Sequence, residues 1–394
     1  MRTKSSATIS FFLLLSVLIG NGLASADAEE QTLGFEVRMS VTFSNTGSEV
    51  WTLTEEDKTI SLFMNNTWQM VQLENSSYPI ERLETDKDGN HLATLRFPES
   101  ELRAGGNATY TLTYNVVSKS RSLPTISEEK SGRLADITED MKEEYCKAEE
   151  NWLISDMELY ELAQNLKKNE TNILTIVKEC VAWISSNIQY QTHDLPWYAN
   201  ETYKEKRGDC DDQAILLITL CRICQIPAYL QVGCMFLPDV DYLETYWEDH
   251  VTVVSKGIGW HGWALVYVPP WGWLPVDLTY VTAPGGLRAD PLNAIRGAAV
   301  TMQTVIQYMN VSKTDYVESS MRYKEFLLEH GFRIHEIDEM IPITPADLPD
   351  DTLWRLLPLV VVAVVTPAVV AAIVSFVYAE TRKKESHAIQ PETS

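Results

Sequence analysis

Positive charge is scarce in this chain. Its 394 residues carry 32 Lys and Arg against 55 Asp and Glu, a formal net charge of −23 at pH 7. Such a body repels phosphate backbones, which argues against nucleic acid as a partner. Metal-ligand spacing is missing too. The six cysteines and seven histidines do not supply four ligands at zinc-site intervals, so no metal is expected. No cysteine lies in Leu33–Ser118, and no other chemistry is visible there. Long apolar runs are confined to the two ends of the chain.

The ends give an address. Arg2 and Lys4 precede an apolar run, Ile9 to Ile19, and then Ala24-Ser25-Ala26. This is the pattern of a cleaved signal peptide over residues 1–26, and the run is short for an anchor. Leu356 to Ala379 is long and apolar enough to cross a bilayer, with Trp354 and Tyr378 at interfacial depth. Pro358 and Pro367 are tolerable in such a helix. Arg382, Lys383 and Lys384 place the far end in the cytoplasm. The sequence thus predicts a single-pass protein of the cell membrane: transmembrane helix 353–379, cytoplasmic tail 380–394 and an extracytoplasmic body. Asn65, Asn75, Asn107, Asn169, Asn200 and Asn310 each open a glycosylation triplet, consistent with that side.

Within the body, residues 27–120 read as strands. Phe35, Val37, Met39, Val41 and Phe43 alternate with polar residues, and Asn45-Thr46-Gly47 is a turn. The spacing predicts a separate immunoglobulin-like sandwich. Ser118 to Gly132 reads as a polar linker. Helical patterns follow over Ile137–Ser155, Asp156–Lys168 and Asn172–Asn187. Residues 121–290 are expected to form a second domain, and 291–352 a mainly helical closing region and stalk.

One stretch carries nucleophile chemistry. Gly208-Asp209-Cys210 opens an apolar helical run to Cys224, with Asp209 as the expected N-cap. Cys210 therefore sits at a helix N-terminus, where backbone N–H groups favour a thiolate. Asp209, Asp211 and Asp212 oppose it, and the balance predicts a modest fall in thiol pKa. Downstream, a strand begins at His261, a Pro269-Pro270-Trp271-Gly272 turn follows, and a second strand ends at Asp277. Cys, His and Asp are the set for acyl transfer: nucleophile, proton shuttle, and carboxylate that fixes the imidazole. An even separation puts His261 and Asp277 on one face if the turn adds no bulge. His250 is the rival base, but no aspartate-bearing strand follows it directly.

These motifs resemble the transglutaminase-like domain. The carriers are Gly-Asp-Cys at a buried helix, Ile226-Pro227-Ala228 after it, His261-x-Trp263 and Trp273-x-Pro275-Val276-Asp277-x-Thr279. The resemblance covers roughly residues 150–282. It implies an α+β fold of the papain-like cysteine transferase and protease class, with Cys210 as nucleophile, His261 as base and Asp277 as its partner. Asn187-Ile188-Gln189-Tyr190 is also similar to the family. Gln191 or Tyr190 is then a candidate oxyanion donor beside the Cys210 N–H. Leu265 departs from the family, many of whose members carry an acidic residue there.

Two further features remain. Cys221-x-x-Cys224 lies at the wrong end of its helix for redox work and reads as buried thiols or a disulfide to Cys234, while Cys146 and Cys180 could pair. Asp239, Asp241, Glu244, Glu248 and Asp249 form an acidic stretch with Tyr242, Tyr246 and Trp247. Its readings are a solvated loop, a lid or a calcium site, though its spacing is not that of the usual calcium loop. No cofactor is expected otherwise. The functional expectation is a cell-surface cysteine acyl-transfer enzyme acting on protein or peptide substrates, as transglutaminase or peptidase. The alternative is a membrane-tethered scaffold that keeps the fold without turnover.

Overall fold

The computed structural model describes residues 32–119, 124–147, 152–301 and 304–344. The expected signal peptide, transmembrane helix and tail lie outside the described residues. Among the described residues no helix is long and apolar enough to cross a membrane.

The strands that position the site are β1 Thr32–Asn45, β2 Gln69–Ser76, β3 Asn107–Lys119, β4 Gln189–Tyr190, β5 Arg207–Gly208, β6 Ala228–Tyr246, β7 Val251–Val268, β8 Gly272–Val276, β9 Val305–Val311 and β10 Phe332–Ile343. The helices are α1 Glu139–Tyr145, α2 Met157–Lys167, α3 Ile173–Asn187, α4 Ala199–Glu205, α5 Cys210–Ile223, α6 Asn293–Thr301 and α7 Tyr316–His330. Polar caps set several helix starts. Asp156 accepts the N–H groups of Glu158 and Leu159, Asn172 accepts that of Thr175, and Asp315 accepts that of Glu318. These satisfy donors that the first turn of a helix otherwise leaves unpaired.

One eight-stranded sheet runs through the body in the order β9-β6-β7-β10-β1-β3-β2, with β8 added to β7. β1 pairs antiparallel with β10 from Gly34↔Ile343 to Asn45↔Phe332, and with β3 on its other side. β7 pairs with β6 along most of its length; on its other edge the first half pairs parallel with β10 and the second half antiparallel with β8. Strand β7 is therefore the joint. Helices α2, α3 and α5 pack against its second half in one core containing Leu159, Val177, Leu217, Ala264 and Val276. Its first half belongs to a second core, where Phe35, Val37, Phe43 and Trp51 meet Ile258, Phe332 and Met340. Trp51 stacks on Phe332 with ring centroids 4.3 Å apart.

This arrangement corrects three expectations. Residues 27–120 do not form a self-contained immunoglobulin-like sandwich, because β1 is hydrogen-bonded to the far end of the chain and shares its core. The region after residue 290 is not mainly helical, since β9 and β10 are sheet strands. In β10 the buried positions are Phe332, Ile334, Asp338 and Met340, so an acid interrupts the apolar alternation. The acidic stretch is not a loop either. It forms the outer part of the β6–β7 hairpin, paired from Asp241↔Lys256 to Tyr246↔Val251. Only its tip turns, with Trp247, Glu248 and Asp249 at positive φ. All six cysteines are free thiols. Cys221 and Cys224 lie in the helical core and Cys234 in the other, which accounts for the absence of that bridge.

Asp338 has a consequence for stability. It is 1 % exposed, accepts a 2.7 Å hydrogen bond from Trp260 Nε1, and its other oxygen has no partner. Burial pushes its pKa up to about 6, and burial beside Asp338 pushes Glu336 up to about 7. For an acid held above its unfolded value, folding is unpenalised below about pH 4 and loses stability as pH rises through the folded pKa. Above that the penalty is complete, on the order of 3 kcal/mol for Asp338. Asp338→Asn keeps an acceptor for Trp260 and removes the charge. The variant is expected to melt higher than the wild type at pH 8, with the difference shrinking towards zero as the pH is brought below about 4. A difference that does not change with pH would contradict this.

Candidate active site

Cys210 is the first residue of α5, and Asp209 is its N-cap. The chain arrives through β5, which pairs parallel with β4. A Cβ on Gly208 would stand 2.8 Å from Asp212 Cβ, so only glycine lets the first turn close this tightly. From Asp212 to Ile223 every residue of α5 is buried, which fixes the helix on all sides.

The second component comes from β7. Gly262 lies against the start of α5, and a Cβ there would meet Asp211 Cβ at 3.0 Å. The Gly262 backbone is the influence that lowers the Cys210 pKa. The start of α5 thus packs on the residue next to His261. Strand β8 pairs with β7 without a bulge, from Ala264↔Val276 to Val268↔Gly272. Asp277 follows β8 and falls diagonally from His261 on the same face. His261 Nε2 donates to Asp277 Oδ2 at 2.7 Å, and the two residues are 5 % and 6 % exposed. Asp277 Oδ1 accepts from the Thr279 N–H at 3.0 Å and its hydroxyl at 2.6 Å. With Nε2 committed to Asp277, Nδ1 is the nitrogen left to take a proton. Burial lowers the His261 pKa, but Asp277 raises it more, so the net direction is up.

Electrostatics at the thiol differ from expectation. Burial, Asp211 and Asp209 push the Cys210 pKa well up, against the Gly262 hydrogen bond that lowers it. The expected depression is not found, because the carboxylates lie in the same dry space as the sulfur. Asp209 is pushed up by burial and by Asp211. Asp211 is raised by burial in the same way. Burial, with the Cys210 and Asp209 charges, pushes the Tyr190 pKa well up. Gln191 is exposed, and its backbone N–H bonds the Gly208 carbonyl at 3.1 Å.

Other expected residues fall elsewhere. His250 Nδ1 donates to the Phe332 carbonyl at 2.6 Å, a fastening of the hairpin onto β10. Leu265 is buried against Met235, Leu237 and Trp263, so apolar packing replaces any charge pair there. Carboxylates of the hairpin do not converge. Among the described residues, the ligand atoms close enough to share an ion are those of His193, Asp209 and Asp212, and of Asp209, Cys210 and Asp211. Sequence reasoning missed His193. It lies between β4 and α4 and bonds Asp212, and no local spacing marks that contact.

Residues 160–278, which include Cys210, His261 and Asp277, match the family model described as the transglutaminase-like superfamily. The chain carries a transglutaminase-like domain. Among solved structures it is similar to a candidate cysteine protease from Cytophaga hutchinsonii, at 15 % identity and a TM-score of 0.51, covering 81 % of this chain and 93 % of that one. That likeness extends the mixed α+β fold well beyond the transglutaminase-like domain itself. The periplasmic domain of TgpA from Pseudomonas aeruginosa matches at 13 % identity and a TM-score of 0.32, covering 69 % of this chain and 96 % of that one. Red sea bream transglutaminase matches at 11 % and 0.31, covering 76 % and 63 %. No curated protein matches the chain.

Proposed function

We propose that this protein is a cysteine acyl-transfer enzyme of the outer membrane face, acting on protein or peptide substrates. Cys210 is the nucleophile, His261 the base and Asp277 the group that orients it. The observation that carries this reading is the buried His261–Asp277 pair with the helix start that bears Cys210 packed on the very next residue, Gly262. The thiol proton passes to His261 Nδ1, and the imidazolium formed is stabilised by Asp277. Sulfur attacks a carboxamide or peptide carbonyl and the tetrahedral oxygen develops charge, for which the Cys210 N–H and Tyr190 are the candidate donors. The proton then leaves with ammonia or an amine, and a thioester remains on Cys210. An amine acceptor gives a conjugate; water gives hydrolysis.

The raised thiol pKa favours a second reading, the non-catalytic scaffold. In the enzyme reading the thiol stays neutral at rest, and proton transfer to His261 accompanies attack. The two are separated by incubating the ectodomain with a glutamine-bearing peptide, with and without added amine. Ammonia released together with an amine conjugate identifies a transglutaminase. New peptide termini without ammonia identify a peptidase. Neither product from the wild type, across several peptides, sinks the enzyme reading and leaves the scaffold. The membrane address rests on the apolar run at 356–379 and the Arg382-Lys383-Lys384 flank.

A further inference from the structure

A second histidine–aspartate pair meets the first turn of α5. His193 Nε2 bonds Asp212 Oδ2, and Asp212 is fully buried. The same carboxylate accepts the Trp197 N–H at 2.7 Å on Oδ1 and the Asp209 N–H at 2.9 Å on Oδ2. Asp212 therefore closes three contacts at once: it caps the helix that begins with Cys210, holds the 191–197 segment, and grips His193. The His193 ring stacks on Trp197 at 4.0 Å between centroids, and the Arg207 guanidinium lies 5.4 Å from the indole on the chain entering α5. Asp194 takes the Trp247 Nε1–H at 2.9 Å, so the tip of the β6–β7 hairpin braces the same segment.

From this convergence we infer that His193 is a positioning residue, which pins the 191–197 segment to Asp212 and thereby fixes the helix turn that presents Cys210. The inference rests on the reading of Cys210 as nucleophile. Its physical basis is the cost of leaving Asp212 short of a partner. A buried carboxylate that loses one charge-assisted hydrogen bond moves to find another, and the donors within reach are the N–H groups that set the Cys210 turn. Burial lowers the His193 pKa, while Asp212 and Asp211 raise it, and the net direction is up.

The test compares His193→Phe, which keeps a ring against Trp197 but removes the donor, with His193→Gln, which keeps a donor. Both are measured in the full ectodomain by the rate of Cys210 alkylation with iodoacetamide, and by kcat and KM on the peptide identified above. His193→Phe is expected to slow alkylation and lower kcat by about tenfold or more, with KM changed less than about twofold. His193→Gln is expected to recover most of both. Thermal melting confirms that each variant is folded. Should His193→Phe not fold, Asp212→Asn breaks the same anchor from the other side and must show the same loss. Wild-type alkylation and kcat in either folded variant overturn the inference. Persistence of acyl transfer in Cys210→Ala would instead defeat the reading of the nucleophile, a separate outcome.

Discussion

Removing residues 32–119 will leave a chain that does not fold. The fragment 124–344 retains Cys210, His261 and Asp277, yet it loses β1 and β3, which lie inside the sheet. Strand β10 would then present its whole hydrogen-bonding edge to water, a template for aggregation. The second core would lose Phe35, Val37, Phe43, Trp51, Leu95 and Tyr114, all buried. At ~1.5–3 kcal/mol for each large apolar side chain, their burial is comparable with the ~5–15 kcal/mol net stability of a whole domain. Phe332 would lose its stacking partner as well. The expected result is insoluble protein from the fragment and soluble, cooperatively melting protein from residues 27–349. A soluble fragment with a sharp thermal transition would show that the sheet is two separable units.

Cys210→Ala will abolish acyl transfer and leave the fold intact. The other cysteines are all buried, whereas Cys210 is only half-buried, so none of them is open to hold the acyl group. His261→Ala is expected to cost nearly as much, because members of one catalytic unit are not additive. Asp277→Ala should cost less in rate, since it orients the imidazole and is not consumed. It should also lower the His261 pKa, because the carboxylate is what raises it. With the negative partner gone, the wild-type rise in activity should move to lower pH, while its ceiling drops by about 10⁴-fold, the scale seen when a triad carboxylate is lost. Rates and melting temperatures of the three variants, measured between pH 5 and pH 9, check this. Full activity in Cys210→Ala, or equal losses with collapsed melting in all three, would contradict it.

The Cys210 helix start and the His261–Asp277 pair were legible because their determinants are local. Gly208-Asp209-Cys210 marks a turn, a cap and a helix start in consecutive residues, and the β7–β8 hairpin keeps His261 and Asp277 within one register. Two consequences of packing were not legible. The β1–β10 pairing joins residues such as Arg38 and Glu339 across nearly the whole body, and no local pattern names a strand's partner. The rise in the Cys210 pKa depends on how dry the space around Asp209 and Asp211 becomes, which composition does not reveal. His193 was hidden for the same reason, since its partner Asp212 lies on a different element. In β10 the buried Asp338 and the half-buried Glu336 masked a strand as a helical surface.

The central claim is that Cys210 forms a thioester. Intact-mass and peptide-mapping spectrometry of the wild-type ectodomain, quenched in acid after brief incubation with substrate peptide, tests it directly. The account predicts an acyl adduct on the peptide that contains Cys210, lost on treatment with hydroxylamine and absent in Cys210→Ala. An adduct on any other residue, or product formation with Cys210 never acylated under rapid quench, would contradict it.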